Sequence, residues 1–417
     1  MKKSLFAVAA LSAVAGAAQA QSSVTVYGIL DVGYIGTNMR GTTTKPANLQ
    51  QTSSFGQSAE STSRLGFKGT EDLGGGASAF FTIETGLTPS TGAVASTWNN
   101  RQSFVGLKKN GIGQFAVGTQ YTPMFNQASA TDPGQLNNMT GNVIYATEPQ
   151  AALNGGLTSY GATSSASATN SGFVTRTSNT LSTQTDTFGG FKFAASYTLN
   201  NQNNTTAAAS NNTTTIVTTG TSGGNTNFNG WALGADYTWQ KLYVAASYQA
   251  YKSLVPIVTT TSLQPTTTSA NATLTTTTGA AALTTQTGGS NVQDNGAYVA
   301  ATYDFGILKA YGQWINRKVT STVTPDYYAS RSAQQIGVRS YITPTVEAWA
   351  SVGNGRVRTY GNAAPTANFT GYQLGSNYYL SKRTNVYAIF GSTETSSTTT
   401  TAGTSANAYA LGVRHTF

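Results

Sequence analysis

The chain has 417 residues and a formal net charge of +9, and only 9% of its residues are charged, compared with about 25% in ordinary soluble domains. It contains no cysteine, which excludes disulfides and thiolate metal sites, and a single histidine, His415. Its lysines and arginines are dispersed along the chain, so the positive charge does not indicate a nucleic-acid-binding protein.

The first predicted element is a secretory leader at residues 1–20. It begins with Lys2 and Lys3, continues with an apolar run and ends on the small-residue sequence Ala18-Gln19-Ala20. These are the three regions of a cleavable signal peptide. We therefore expect the mature chain to begin at Gln21 and to reside outside the cytoplasm.

The segments that follow alternate between apolar and polar residues with a period of two. Residues 191–199, 231–239 and 409–417 are examples, with Trp231, Leu233 and Trp239 on one face and Gly234 and Asp236 on the other. Successive side chains of a strand point to opposite faces, so this pattern predicts strands with one apolar and one polar face. No segment after the leader approaches the roughly 18 consecutive apolar residues that a membrane-spanning helix needs.

The connections between these strands are alternately short and long. Tight turns are predicted at residues 71–76, 110–113, 240–241, 304–306 and 380–383, and long polar connections at residues 36–60, 122–171, 200–228, 252–294 and 393–406. Aromatic residues at the ends of apolar rows, short turns at one end and long loops at the other are typical of outer-membrane barrels. The sequence predicts a closed, all-β, transmembrane antiparallel barrel of about sixteen strands, which would enclose water.

Several motifs resemble those of Gram-negative general porins, most closely the β-proteobacterial branch. They are residues 23–28 (SVTVYG), 63–69 (SRLGFKG), 71–74 (EDLG), 104–107 (FVGL), 120–123 (QYTP), 380–384 (LSKRT) and 411–417 (LGVRHTF). The resemblance covers almost the entire predicted mature chain, residues 21–417. It implies a homotrimer in the cell outer membrane, with the loop at residues 122–171 folded into each barrel as a constriction.

The resemblance also implies a ladder of arginines at the constriction, on Arg64, Arg101 and Arg176, facing acids on the folded loop. Asp132 and Glu148 are the candidate loop acids. Independently, the three arginines lie roughly 17–26 Å above their nearest short turns along the barrel axis, so they should cluster near mid-barrel. An arginine in mid-membrane lipid would cost about 2–4 kcal/mol, which favours the lumen for all three.

Two interpretations of the arginines remain open: they brace the pore wall by pairing with acids, or they also attract anions to a narrow water path. Because odd and even positions of a strand point to opposite faces, Asp31 and Glu84 are expected to point inward, and Lys68 to share the face of Arg64. Asp31 and Glu84 either balance Lys68 or the arginines, or are simply solvated in the lumen. The face of Arg101 is ambiguous, because Val105 and Leu107 share its parity.

The chain ends at Phe417, and in the family such a terminal aromatic is read by the barrel-insertion machinery. His415 lies at the end of the last strand on an apolar face, and no phosphate-binding loop or metal-ligand cluster is visible. We therefore predict a passive channel for ions and small hydrophilic solutes, without cofactor or catalysis and with anion preference. The alternatives are a channel selective for one anion, and a surface adhesin or phage receptor that uses the Thr-rich loops.

Overall fold

The fold is described from a computed structural model. The described residues are 23–41, 49–92, 101–145, 167–169, 172–199, 204–206, 217–221, 224–255, 258–262, 283–287, 290–321, 328–360, 366–396 and 403–417. The predicted leader, residues 1–20, lies outside them.

Strands dominate the described residues, which also include the helix α1 at Pro123–Thr131. Among the described residues, no helix is long and apolar enough to cross a membrane. The strands are β1 (Ser23–Arg40), β2 (Leu49–Gln57), β3 (Arg64–Gly74), β4 (Ala77–Gly86), β5 (Ser103–Lys109), β6 (Gly113–Tyr121), β7 (Ser167–Thr169), β8 (Val174–Thr185), β9 (Phe191–Thr198), β10 (Asn204–Thr206), β11 (Val217–Thr221), β12 (Gly224–Trp239), β13 (Leu242–Val255), β14 (Val258–Ser262), β15 (Leu283–Thr287), β16 (Ser290–Asp304), β17 (Lys309–Ser321), β18 (Tyr328–Tyr341), β19 (Val346–Tyr360), β20 (Ala367–Tyr379), β21 (Thr384–Thr395) and β22 (Thr404–Thr416).

The sheet closes on itself as a barrel of sixteen antiparallel strands, which confirms the predicted fold. One edge of β1 pairs with β22 from Ile29 to Arg40. Its other edge pairs first with β3 and then with β2, which together occupy one strand position. The pairing of β1 with β22, which closes the barrel, continues to Phe417, since the Gly28 amide donates to the Phe417 carbonyl at 3.0 Å. Closure satisfies backbone groups that an open edge would leave unpaired in lipid.

Some of the predicted long connections are too long, because the structure places part of their residues in strands. The connection predicted at residues 36–60 contains the end of β1 and all of β2, and β12 begins at Gly224 inside the connection predicted at 200–228. Hairpin pairing continues beyond the apolar rows, because backbone hydrogen bonds need no apolar side chains. Apolar alternation therefore marks the membrane band and underestimates strand length.

The outer face is apolar and exposed, as the alternation predicts. On β12, Trp231, Leu233 and Trp239 are 41%, 51% and 58% exposed, whereas the intervening Ala232 is buried. Large apolar side chains in regular exposed rows fit contact with hydrocarbon, and the polar residues that alternate with them face inward.

The lumen is partly filled by α1 and the segment that follows it, so residues 122–145 fold into the barrel. Thr122 caps α1, with its Oγ1 accepting from the Phe125 amide at 3.2 Å, and Pro123 occupies the first turn, where a missing N–H costs nothing. Gln127 attaches the helix to the wall by donating to Asp236 Oδ1 at 2.7 Å.

Beyond α1, the chain lies along the inner wall over a strip of glycines. A Cβ at Gly391 would lie 1.8 Å from the Thr140 carbonyl oxygen, and one at Gly353 would lie 2.3 Å from Val143 Cγ2. Asn137 Nδ2 also donates to Gln373 Oε1 at 3.0 Å. The strip of glycines on β19 to β21 therefore lets the inserted segment approach the wall closely.

Candidate functional site

The three predicted arginines line one cavity inside the barrel. Arg64 lies at the start of β3, Arg101 just before β5 and Arg176 on β8. The cavity has a volume of about 490 Å³, and its opposite wall includes Phe125 and Tyr145 of the inserted segment. The sequence-based expectation that the arginines cluster therefore matches their positions in the structure.

A carboxylate on the barrel wall holds two of these arginines. Arg101 Nε lies 2.5 Å from Glu84 Oε1, and Arg64 Nη1 lies 3.9 Å from Glu84 Oε2. Tyr27 donates to the same carboxylate at 3.1 Å. Glu84 is only 2% exposed, so its charge is compensated locally. Among the described residues, these two guanidinium groups share this one carboxylate, so the three groups together carry one excess positive charge.

Arg101 points inward although the parity of β5 alone would turn it outward. Val105 and Leu107, at the same parity, are exposed on the outer face. Just before Ser103, where regular pairing of β5 with β4 begins, the Arg101 amide donates to the Glu84 carbonyl and the Glu84 amide donates to the Gln102 carbonyl. Arg101 and Gln102 thus lie opposite the single residue Glu84. This is a bulge-like irregularity, which changes the face to which a side chain points.

Aromatic rings join the arginines to the inserted segment. The Tyr121 and Phe125 rings stack with centroids 4.1 Å apart, and the Arg176 guanidinium lies over the Tyr121 ring at 5.8 Å. Arg101 Nη2 donates to the Tyr121 hydroxyl at 2.5 Å. Burial raises the pKa of the Tyr145 phenol, which therefore stays neutral. These contacts fix the guanidinium groups in position and keep their charge at the cavity.

The predicted loop acid Asp132 does not contact the arginines. It is 2% exposed and accepts hydrogen bonds from the Leu136 amide, Asn142 Nδ2 and Gln335 Nε2, each at 2.9 Å. Burial raises the pKa of this carboxyl. The expectation that Asp132 faces the arginines is therefore corrected: Asp132 fastens the inserted segment to β18. Glu148 lies outside the described residues.

Of the remaining candidates, Asp31 has a different role from the expected one, whereas Lys68 is solvated, in agreement with the expected luminal position. Asp31 is fully buried and accepts from the Glu60 amide at 2.9 Å and the Tyr387 hydroxyl at 2.6 Å, so it braces the interruption between β2 and β3 instead of balancing Lys68 or the arginines. Lys68 is exposed, with its ammonium 5.3 Å from the centroid of the Tyr27 ring.

Phe417 closes the barrel seam through backbone bonds. Its amide donates to the Gly28 carbonyl at 3.1 Å and its carbonyl accepts from the Gly28 amide. Its ring is 41% exposed and lies 6.5 Å from that of His415. The ring is therefore exposed at the end of the barrel, and its role as an assembly signal stays a prediction.

Sequence reasoning missed a second set of charged pairs on the wall opposite the arginine cavity. Arg317 and Asp294 form a buried pair at 2.6 Å, and Arg339 pairs with Glu347 at 2.5 Å. Arg331 is 1% exposed and donates to the Val143 carbonyl at 2.6 Å. These arginines lie at odd-numbered positions of β17 and β18, whereas the exposed apolar residues of the same strands lie at even-numbered positions. That difference in the sequence could have identified the arginines as inward-facing.

The described residues contain no group of three or more metal-ligating side chains close together. The arginines and Glu84 place fixed charges beside the internal cavity, and such charges attract ions of opposite sign.

Comparison with known proteins gives a consistent family. Residues 7–400 match the family described as Gram-negative porin. An outer membrane porin protein of Bordetella pertussis is 32% identical over 215 residues, which are 48% of this chain and 49% of that protein. Outer membrane porin protein 32 of Delftia acidovorans is 40% identical over 134 residues, 32% of this chain and 35% of that protein. The chain thus matches half or less of the length of these relatives.

Solved structures share the architecture. An anion-selective porin from Comamonas acidovorans matches with a TM-score of 0.65 and 21% identity, covering 95% of this chain and 100% of that chain. OmpT, an outer membrane protein of Vibrio cholerae in its trimer form, matches with a TM-score of 0.57 and 14% identity, covering 95% and 99%. At these identities the likeness establishes the fold.

Proposed function

Because the chain belongs to the family of Gram-negative porins, we propose that it forms a water-filled channel in the outer membrane for passive diffusion of ions and small hydrophilic solutes, with preference for anions. The observation that carries the preference is that Arg64 and Arg101 share one carboxylate, that of Glu84, while Glu60, the acid that lines the cavity, is paired with Arg414 at 3.4 Å. A surplus guanidinium charge at a narrow water path raises the local concentration of anions and lowers that of cations.

The inserted segment supports a constriction of fixed width. Asp132 and Asn137 bond it to β18 and β20, and Gln127 bonds it to β12. A segment attached to the wall at several points keeps the passage narrow, so that solutes pass close to the arginines. The structures similar to this chain include an anion-selective porin, which agrees with the proposal.

Planar-bilayer recording in a potassium chloride gradient tests the selectivity. The wild-type reversal potential should favour chloride, and the variant Arg64→Gln/Arg101→Gln/Arg176→Gln should shift it toward potassium, because the charges at the constriction are removed. The matched control is Lys241→Gln/Lys382→Gln/Arg383→Gln, which removes the same charge from exposed residues at the short-turn end. A cation-favouring wild type, or equal shifts in both variants, would contradict the proposal.

We also propose that the protein is a homotrimer. A solved structure of the same fold is described in a trimer form, and the family resemblance implies the same assembly. Conductance should then rise in groups of three equal steps as protein inserts into the bilayer. Single equal steps from the native protein, together with a monomer mass after chemical cross-linking, would contradict it.

A further inference from the structure

One buried arginine on the wall opposite the arginine cavity lacks most of its hydrogen-bond partners. Arg331 lies on β18 and is 1% exposed. Its Nη2 donates to the Val143 carbonyl of the inserted segment at 2.6 Å. Its Nε and Nη1 have no hydrogen-bond partner in the part of the chain that the structure describes. A guanidinium stays protonated in proteins and carries five N–H donors, so most of the donors of Arg331 lack an acceptor.

The groups around this guanidinium are mostly apolar. Its carbon Cζ lies 4.6 Å from the centroid of the Phe369 ring. The inward-facing neighbours of Arg331 on β18 are Ala329 and Ala333, its register partner on β19 is Val357, and all three are buried. Alanine and valine side chains offer no acceptor. A buried charge without partners is strongly unfavourable, so this position requires a compensating group.

The acids buried among the described residues are bound by other groups. Arg317 lies beside Arg331 in register, and it holds both oxygens of Asp294, with Nε 2.9 Å from Oδ1 and Nη2 2.6 Å from Oδ2. The remaining buried acids also contact other partners, namely Asp31, Glu60, Glu84, Asp132 and Glu347. Arg317, Arg331 and Asp294 together therefore carry one excess positive charge, which is located on Arg331.

The inserted segment covers Arg331 on the side of the lumen. Val143 and Ile144 are fully buried, and they belong to one apolar cluster with Phe369. The Val143 amide donates to Gln335 Oε1 at 3.2 Å, so the segment is attached to β18 at this point through its amide and its carbonyl. Arg331 is not among the residues that line the arginine cavity. A ligand of Arg331 would therefore be separate from ions in that cavity.

We propose that Arg331 binds one small inorganic anion, of the size of chloride, where β18 meets the inserted segment. Hydrogen bonds from a guanidinium to an anion are charge-assisted, and the anion supplies an acceptor for the free donors of Arg331. It also cancels the excess charge that Arg331 carries beside the pair of Arg317 and Asp294. Because Arg331 holds the Val143 carbonyl, the bound anion stabilises the attachment of the inserted segment.

The surroundings of Arg331 favour a single-atom anion over a phosphate or a carboxylate. An oxyanion presents several oxygens, and each oxygen that is buried requires a donor. The apolar neighbours Ala329, Ala333 and Val357 provide none, so Arg331 would have to satisfy all of these oxygens. A halide needs few N–H donors. This binding is independent of the arginine cavity and of the ion selectivity proposed for it.

Thermal unfolding of the purified full-length protein in detergent tests the binding, with sodium chloride replaced by sodium gluconate at constant ionic strength. A ligand that binds only the folded state raises Tm with the logarithm of its concentration. We expect Tm of the wild type to rise on the order of 2 °C for each tenfold increase in chloride. The variant Arg331→Met should lose this dependence. The control Arg356→Met, at an exposed outer position in register with Ser332, should keep it.

Diffraction from wild-type crystals grown in sodium bromide tests the same site without any variant, and therefore decides the matter even where Arg331→Met does not fold. We expect an anomalous bromide peak within hydrogen-bonding distance of a guanidinium nitrogen of Arg331. Such a peak supports this site even in crystals without bromide at Arg64, Arg101 and Arg176. A peak in the arginine cavity alone supports the proposed pore and overturns the anion site at Arg331.

Three further results would overturn the anion site. The first is a wild-type Tm that does not depend on chloride, and the second is an equal dependence in wild type and in Arg331→Met. The third is an ordered water, without anomalous signal, at the free donors of Arg331, which would show that a neutral partner is sufficient. The reversal potential in a salt gradient enters none of these results, so the proposed pore can fail while this proposal holds.

Discussion

Glu84 on β4 and Arg101 just before β5 form an ion pair inside the barrel, with 2.5 Å between Oε1 and Nε. Because Arg64 approaches the same carboxylate at 3.9 Å, the acid that pairs with these arginines among the described residues belongs to the barrel wall. The balance of charge at the cavity therefore depends on the register of β3, β4 and β5.

Replacing Glu84 should strengthen anion preference. Glu84→Gln keeps the size and a hydrogen-bond acceptor but removes the negative charge beside two guanidinium groups. We expect the chloride-over-potassium permeability ratio to rise by roughly twofold to threefold, measured as reversal potential in a salt gradient. Glu394→Gln, at an exposed position on the outer face, is the control and should leave the potential unchanged. An unchanged reversal potential in the Glu84 variant would show that this group of charges does not face the ion path.

The glycine strip should be necessary for the position of the inserted segment. A side chain at Gly391 would collide with the Thr140 carbonyl, whereas a Cβ at Gly312 meets nothing within 4 Å. Gly391→Val should cost about 1–3 kcal/mol of stability through overpacking and should change single-channel conductance, because the segment must move into the lumen. Gly312→Val should change neither quantity. Unaltered conductance in the Gly391 variant would mean that the wall, and not the segment, yields.

The buried pair of Arg317 and Asp294 should matter for stability. Asp294→Asn removes the charge opposite a guanidinium that is fully buried. Breaking such a pair at one partner costs about 3–5 kcal/mol, which urea unfolding followed by tryptophan fluorescence would detect. Lys318→Gln, one residue from Arg317 but on the outer face, should cost less than about 1 kcal/mol. A small loss in both variants would indicate that water or rearranged polar groups replace the carboxylate.

The Phe417 ring should matter for assembly more than for the finished barrel. Its backbone bonds to Gly28 survive in Phe417→Ala, whereas the exposed ring is lost. We expect several-fold less folded protein in the outer membrane of cells, scored by heat-modifiable migration, and wild-type conductance after refolding from denaturant. Phe305→Ala, at an exposed aromatic residue near a short turn, is the control. Equal yields of both variants in cells would contradict a recognition role.

The period-two pattern by itself determined the class of fold and most of the lumen. It predicted a closed barrel of about sixteen strands, and it placed Asp31, Glu84 and Arg176 on inward faces, where they lie. These results depend only on the alternation of side chains along one strand and on the need to pair every backbone amide in lipid. Both are local or general requirements, so they can be read from one sequence.

The tertiary structure decided which charged groups meet. Asp132 and Gln335 are 203 positions apart in sequence, and their hydrogen bond exists because the inserted segment crosses the lumen to β18. Arg101 turns inward because two residues oppose Glu84 at the start of β5, which parity cannot reveal. Alternation fixes the face of a side chain, but its partner depends on strand register, irregularities and the path of the inserted segment, which are set by contacts between distant parts of the chain.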